Sequence, residues 1–431
     1  MTNLKNRTIY CHDNLDILKG IDSNTIDLIY LDPPFNKNKI FTAPIDSSAE
    51  GASFKDIFRE EDVKDEWVFD IQRENYELYS LLRGIKEFSN HYNYCYSVYM
   101  AIRLLEIWRI LKPTGSVYLH CDPTMSHYLK LVLDCIFDEK NFRNEIIWAY
   151  RTGGVSKKYH LAKKHDIIFW YSKEKKFFMN AMKEKQYLQK KFMDSKIDED
   201  GNIFIDTYLR DILEDVIEIV DNNKVIKEYN TRPVLNLSKE RTGYPTQKPV
   251  GLISLLIDLA TNEDDMVLDP FCGCATTCIA AEKLGRNWVG IDVSQKAYEL
   301  VKIRLKKEVP PDFFRGEPHF TTTPPTRSDM GMGGEVAGYI YIISNPKYKK
   351  WLKVGIAKDP EARLKQYQTG DPERKYKIEK IFQTPHNADI EKMIHQHYNA
   401  PTEWVATGEV DEVFNLIKQF DTEIKGGLFK N

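Results

Sequence analysis

Three short stretches carry residue types that could do chemistry. The first is Asp32-Pro33-Pro34-Phe35, which follows the largely apolar run Ile26-Asp27-Leu28-Ile29-Tyr30-Leu31. Proline fixes φ and has no N–H, so the carbonyls beside Pro33 and Pro34 stand outward and unpaired. A carboxylate, presented carbonyls and a flat ring suit a planar base with an exocyclic amine: the oxygens accept its N–H groups and Phe35 stacks on it. A strand that simply ends in a proline turn has the same sequence, and this stretch alone leaves both readings open.

The second stretch is Asp269-Pro270-Phe271-Cys272-Gly273-Cys274-Ala275-Thr276-Thr277. Small side chains let a backbone approach a ligand closely, and the N-terminus of the helix that follows favours a carboxylate. The next strand, Asn287 to Ile291, ends in Asp292, and an acid at that place takes ribose hydroxyls. Gly-x-Gly-x-x-Gly is absent, so this is not the dinucleotide fingerprint. Near the start, Asp13-Asn14 closes the short strand Thr8–His12. Asp13 could receive the amine of a nucleotide-like ring or merely cap the helix Leu15–Lys19. The third stretch lies in the tail, where Tyr341, Arg363 and Glu391 fall on a strand and two helices.

Two groupings resemble metal ligands and are read otherwise. His120, Cys121 and Asp122 are adjacent on one strand and point to opposite faces. Cys272, Cys274 and Cys278 are explained by the small-residue turn they occupy. The seven cysteines include no Cys-x-x-Cys pair, which suits reduced thiols in a cytoplasmic protein.

The elements that must position these residues alternate. The run Val98, Ile102, Leu105, Ile107, Trp108, Leu111 has helical spacing and stops at Lys112-Pro113-Thr114-Gly115. Ser116–Asp122, Asn144–Trp148 and Asp166–Tyr171 read as strands, with a helix from Tyr128 to Phe137. Strand and helix in alternation predict βαβ units and a parallel sheet. Residues Asn36–Tyr94 show no clear period and read as a long loop with helical pieces. Ser172–Lys239 breaks the alternation and reads as a separate lobe. From Trp148 to Lys196 there are thirteen Lys and Arg against four acids, and from Ile197 to Asp221 one Arg against nine acids. A net charge of −3 therefore hides a basic arm suited to phosphates beside an acidic one. No apolar run is long enough to span a bilayer. Pro- and Gly-rich segments between Val309 and Gly334 predict a linker, and paired strands from Gly338 start a second small domain.

Asp32-Pro33-Pro34-Phe35 resembles motif IV, the catalytic DPP(Y/F) loop of amino-directed DNA methyltransferases. Thr8–Asn14 resembles their motif III, Arg241–Pro249 their motif X, and Met266–Thr277 with Asp292 their motif I and the acidic motif after it. Leu104–Tyr171, with its Leu-Lys-Pro-Thr-Gly-Ser turn, is also similar to them. The catalytic loop precedes the charged insert and the cofactor loop comes last, the order of the β class. Ala275 stands where the family's second glycine is usual.

The resemblance implies an α/β, Rossmann-like methyltransferase domain over residues 1–308, with a target-recognition insert at about 172–239 and a linker over 309–337. It implies S-adenosylmethionine as cofactor, held by Asp13, Asn14, Lys248, Asp269, Phe271, Gly273 and Asp292. Asp32, Pro33, Pro34 and Phe35 would methylate N6 of adenine in double-stranded DNA after base flipping. N4 of cytosine is the alternative, although there the family more often has Ser in place of Asp32. A homodimer and a cognate restriction enzyme are partners the family admits, and a membrane is not. Residues 338–425 resemble the GIY-YIG nucleases, a small α+β fold, in its phage-type branch. There the tyrosine (Tyr341) helps to activate water, Arg363 stabilises phosphate charge and Glu391 binds a divalent metal, Mg²⁺. Lys353 stands where many members have tyrosine, and a tail that binds DNA without cutting is the competing role.

Overall fold

The run that opens on Ile26 becomes a central strand because both of its faces find cover. Leu28 and Tyr30 join one apolar cluster, Ile29 and Leu31 the other, and all four are buried. The computed structural model describes residues 3–151, 161–222, 224–235, 238–309, 316–328, 338–357, 360–369, 371–384, 386–400 and 403–425. It divides into two units, Met1–Thr326 and Arg327–Asn431.

The first unit begins with β1 (Thr8–Cys11), α1 (Asn14–Gly20) and β2 (Ile26–Leu31). A hairpin of β3 (Lys39–Thr42) and β4 (Ser53–Asp56) follows, then α2 (Asp65–Glu74), α3 (Tyr76–Phe88) and α4 (His91–Ile110). The long loop expected over Asn36–Tyr94 is therefore mostly structured. Trp67 and Ile71 on α2, and Leu78, Leu82 and Ile85 on α3, are buried at helical spacing among many charges. Next come β5 (Leu111–Cys121), α5 (Ser126–Phe137), β6 (Phe142–Ala149) and β7 (His165–Ser172).

The insert holds β8 (Lys183–Leu188), β9 (Lys196–Ile197), β10 (Ile203–Tyr208), β11 (Ile212–Leu213), β12 (Val216–Asp221) and β13 (Lys224–Asn230). Five of these strands make an antiparallel sheet ordered β13-β12-β8-β10-β9, while β11 leaves it to pair with β6. The unit then returns through α6 (Val250–Ala260), β14 (Met266–Asp269), α7 (Thr276–Lys283), β15 (Asn287–Asp292), α8 (Gln295–Glu308) and β16 (His319–Thr321).

The main sheet has nine strands in the order β11-β6-β7-β5-β2-β14-β15-β1-β16. It is mixed rather than parallel, because β7 slots between β5 and β6 and runs against both. Helices α1 to α5 supply one apolar layer and α6 to α8 the other. Part of the expected linker is ordered: β16 adds to β1 in parallel, and the Asn3 side-chain amide donates to the Thr326 carbonyl at 2.7 Å. Residues 310–315 and 329–337 of that linker lie outside the described residues.

The second unit contains β17 (Gly338–Ser344), β18 (Leu352–Ala357), α9 (Pro360–Thr369), β19 (Lys377–Thr384), α10 (Asn387–His397), β20 (Trp404–Val405) and α11 (Val410–Lys425). Its antiparallel sheet runs β19-β17-β18-β20 over a core that includes Ile340, Ile342, Val354, Ile390, Ile394 and Val413. No helix among the described residues is long and apolar enough to cross a membrane.

Candidate active site

Asp32 stands one residue past the end of β2, and Asp269 and Asp292 end β14 and β15. The order β2-β14-β15-β1 makes these strands neighbours, so their carboxyl ends open into one cavity of about 320 Å³. Asp13, Asp32, Phe35, Lys248, Gly273 and Asp292 all line it. That volume lies at the lower end of the range of small-molecule sites.

At one end the Lys248 ammonium donates to both Asp32 oxygens at 2.7 Å. Lys248 is buried, and its ammonium lies 5.1 Å from the Phe35 ring centre. The sequence reading placed Lys248 on the cofactor; it lines the cavity, and its ammonium sits on the Asp32 carboxylate. A carboxylate has about four acceptor positions, so Asp32 can hold this cation and still take an N–H from a base.

At the other end the backbone turns tightly over small residues. Gly273 has φ +49°, and a Cβ there would meet the Tyr244 ring at 2.9 Å. Its N–H donates to Asp292 at 2.9 Å, and the Ser294 N–H donates to the other Asp292 oxygen at 2.8 Å. Ala275 caps α7 at φ +59°, a left-handed conformation that costs a residue with a Cβ about 1–2 kcal/mol. Burial pushes the Asp292 carboxyl up to about 6 against those two hydrogen bonds. Burial also carries Asp269 up to about 7, with Asp32 and Asp292 adding repulsion and the Thr277 hydroxyl and Phe271 N–H opposing it. Asp32 is already paired with Lys248, so Asp269 and Asp292 are the carboxylates that, once ionised, make the cavity receptive to a cation.

Asp13 and Asn14 form the cavity's third wall. Asp13 caps α1 by accepting the Leu15 N–H at 2.8 Å, and it lines the cavity as well. Fully buried Arg103 donates to Asp13 at 3.0 Å and to Asn14 at 2.6 Å, and Asn14 donates to the Pro270 carbonyl at 2.8 Å. These bonds fix the start of the chain to the turn after β14.

In the second unit Tyr341 is buried, and its hydroxyl meets that of Tyr367 at 2.8 Å. Arg363 reaches Tyr341 and Glu403 at 3.5 Å each, and Tyr367 donates to Glu403 at 2.9 Å. Lys353 closes the group, 2.8 Å from Glu403. Burial opposes the charged form of Glu403, but Lys353, Tyr367 and Arg363 hold its carboxyl below the usual range. Glu391, expected as the acid of this site, is buried on α10, and Glu403 is a further carboxylate, which Arg363, Tyr367 and Lys353 reach. No group of three or more His, Cys, Asp or Glu able to hold a metal occurs among the described residues.

The sequence profile of the DNA methylase family that covers N6 and N4 enzymes matches residues 26–303. The chain belongs to that family. The methylase is 26% identical over 303 residues to the type II methyltransferase M.HpaI of Haemophilus parainfluenzae, covering 70% of this chain and 74% of the relative. It is 25% identical over 302 residues to the DNA adenine methyltransferase YhdJ of Escherichia coli, covering 70% and 82%. Among solved structures, the cytosine-N4-specific PvuII DNA methyltransferase aligns with 15% identity and a TM-score of 0.43, over 74% of this chain and 98% of that one. A second profile, the T5orf172 domain, matches residues 338–421 of the methylase.

Sequence reasoning missed several side chains that shape this site. Arg103 sits among the apolar residues of α4, and an arginine on a buried helix face was the available signal. Tyr244 lies within the motif that resembles the family's motif X, but nothing in its spacing showed that it would pack against Gly273. The Glu403-Trp404 pair near the end of the tail is visible in the sequence, and the paired strands β18 and β20 bring Glu403 to Lys353.

Proposed function

We propose that the methylase transfers a methyl group from S-adenosylmethionine to N6 of adenine in double-stranded DNA. The observation that carries this reading is the shared cavity: the Asp32-Pro33-Pro34-Phe35 corner and the Gly273–Asp292 turn open into the same space. When bound, S-adenosylmethionine supplies an electrophilic methyl on a cationic sulfonium. Asp292 has its oxygens anchored by two backbone N–H groups, which aim the carboxylate for ribose hydroxyls. The close Gly273–Tyr244 approach leaves room for backbone rather than side chain beside a ligand. Asp13 and Asn14, locked by Arg103, face the same space.

A base inside a duplex cannot reach this cavity and must be flipped out. Asp32 then accepts one N–H of the exocyclic amine and the Pro33 carbonyl accepts the other, which turns the nitrogen lone pair out of the base plane. Phe35 stacks on the ring. Methyl transfer leaves positive charge on that nitrogen, and the adjacent Asp32 carboxylate stabilises the charge until a proton leaves. Positioning supplies most of the acceleration.

Adenine is favoured over cytosine by Asp at position 32, and one relative is named as an adenine methyltransferase. The relatives named type II methyltransferases favour a role in restriction-modification. The test is methyl transfer from labelled cofactor to duplex DNA, followed by digestion and chromatography of the nucleosides. Label in N6-methyladenine supports the reading, and label in N4-methylcytosine overturns the choice of base. Asp32→Ala should abolish transfer.

A second activity is favoured by the tail. Tyr341, Arg363 and Glu403 gather a phenol, a guanidinium and a carboxylate, which together suit charge build-up on a phosphodiester. Nicking of plasmid by the full chain with Mg²⁺, lost in Arg363→Ala, supports cleavage. DNA retention without nicking supports a binding tail.

A further inference from the structure

Phe35 is the ring on which the target base would stack, and its own orientation needs a cause. Pro33 and Pro34 restrain the backbone before it but leave its side-chain torsions free. The ring stacked on it is His120, with centroids 6.1 Å apart and planes 23° apart. His120 lies on β5, is fully buried and has both nitrogens engaged. Its Nδ1 meets the Tyr30 hydroxyl at 2.8 Å, and its Nε2 meets Asp166 at 3.2 Å. A carboxylate only accepts, so Nε2 carries hydrogen, and the Tyr30 hydroxyl serves Nδ1 as donor or acceptor.

The anchors are themselves held. Tyr150 donates to the second Asp166 oxygen at 3.1 Å. Burial works against the charged form of Asp166, yet hydrogen bonds from His120 and Tyr150 and the charge of Lys248 hold its carboxyl at about 2. Trp148 meets the imidazole edge-on, with planes 82° apart and centroids 5.6 Å apart. The Trp148 indole N–H donates to the Thr231 carbonyl at 2.7 Å, one residue past β13, the outer strand of the insert sheet. An imidazole pinned at both nitrogens cannot rotate, so the ring on its face is held too.

We propose that His120 is a positioning residue that sets the plane of Phe35 for base stacking and ties it, through Trp148, to the end of the insert sheet. This rests on the methyl-transfer reading above. Neither nitrogen faces the reacting amine in this arrangement, so the role is exercised through Phe35. Loss of the imidazole leaves Phe35 in place but free to tilt, and a small misplacement of a stacked base is costly in rate.

The test is a double-mutant cycle with Phe35→Ala and His120→Ala in the full chain. His120→Ala should lower kcat by about tenfold or more while cofactor affinity and KM for DNA stay within about twofold. A duplex with 2-aminopurine at the target should fluoresce more brightly in the variant's complex, because the flipped base is less well stacked. Phe35→Ala/His120→Ala should be no more than about twofold slower than Phe35→Ala alone. Additive losses, or an unchanged 2-aminopurine signal, overturn the proposal. Should His120→Ala fail to fold, Asp166→Ala removes one anchor and keeps the imidazole, and the same non-additivity with Phe35→Ala is expected. A parent protein that transfers no methyl group overturns the activity instead, while the fluorescence comparison still decides whether His120 sets the stack.

Discussion

Asp269→Asn should stabilise the methylase at alkaline pH and do nothing of the kind at acid pH. Asp269 is buried, and burial lifts its carboxyl from 3.8 to about 7. A carboxyl raised in the folded state binds its proton more tightly there than in the unfolded chain. Its contribution is therefore fully present below pH 4 and is lost as pH rises through 7. Above both values the loss is about 4 kcal/mol; about 1.7 kcal/mol is already gone at pH 5, so about 2.6 kcal/mol more disappears by pH 8. Asparagine carries no charge to bury. Its oxygen can keep the Phe271 N–H, which Asp269 accepts at 3.0 Å, and its NH₂ can donate to the Thr277 hydroxyl. The variant should thus gain on the parent by about 2 kcal/mol between pH 5 and pH 8. Hydrogen exchange of the β14 and β15 amides measures this within the first unit alone. A stability difference that stays flat across that range would refute the burial argument.

Three further outcomes follow from the same geometry. Affinity for S-adenosylmethionine should rise from pH 5.5 to pH 8, because a cation favours ionised Asp269 and Asp292, raised to about 7 and about 6; calorimetry that shows the reverse trend would contradict this. Ala275→Gly should leave the stability of the first unit within about 1 kcal/mol of the parent, as read by denaturant unfolding, because the left-handed strain relieved is offset by the added chain entropy and the lost burial of the methyl group. Lys190 and Lys191 are exposed just after β8, and reversing both to Glu should weaken binding to all duplexes alike and reduce the slope of log affinity against log salt by about 2. An unchanged slope would move the phosphates elsewhere.

Much of the site was legible because its signals are local. Asp32 and Asp292 stand at strand ends that apolar runs announce, and the small residues around Gly273 announce a close approach. What was not legible depends on pairing across the chain. Lys248 reads as part of a loop near the cofactor, and only the fold shows its ammonium on a carboxylate 216 positions away. The reversal of β7 was hidden because a strand's sequence does not show its direction. The helices between Asp65 and Phe88 were expected only as pieces of a loop, because charges crowd a narrow apolar stripe. Glu403 comes to Tyr367 through a two-residue strand whose pairing the sequence does not show.

The position of β1 has a consequence for how the protein is made. The first strand of the chain lies between β15 and β16, the last two strands of the sheet, and pairs with both in parallel. Residues 8–11 therefore have no ladder partner until residues 287–321 have left the ribosome. At about 5–20 residues per second that wait is roughly 15–60 seconds, during which an apolar strand is exposed at both edges. Because Asp13 and Asn14 follow directly on β1, the cavity cannot assemble before then. A chain shortened before β15 should accumulate as an aggregation-prone intermediate rather than as a slower enzyme.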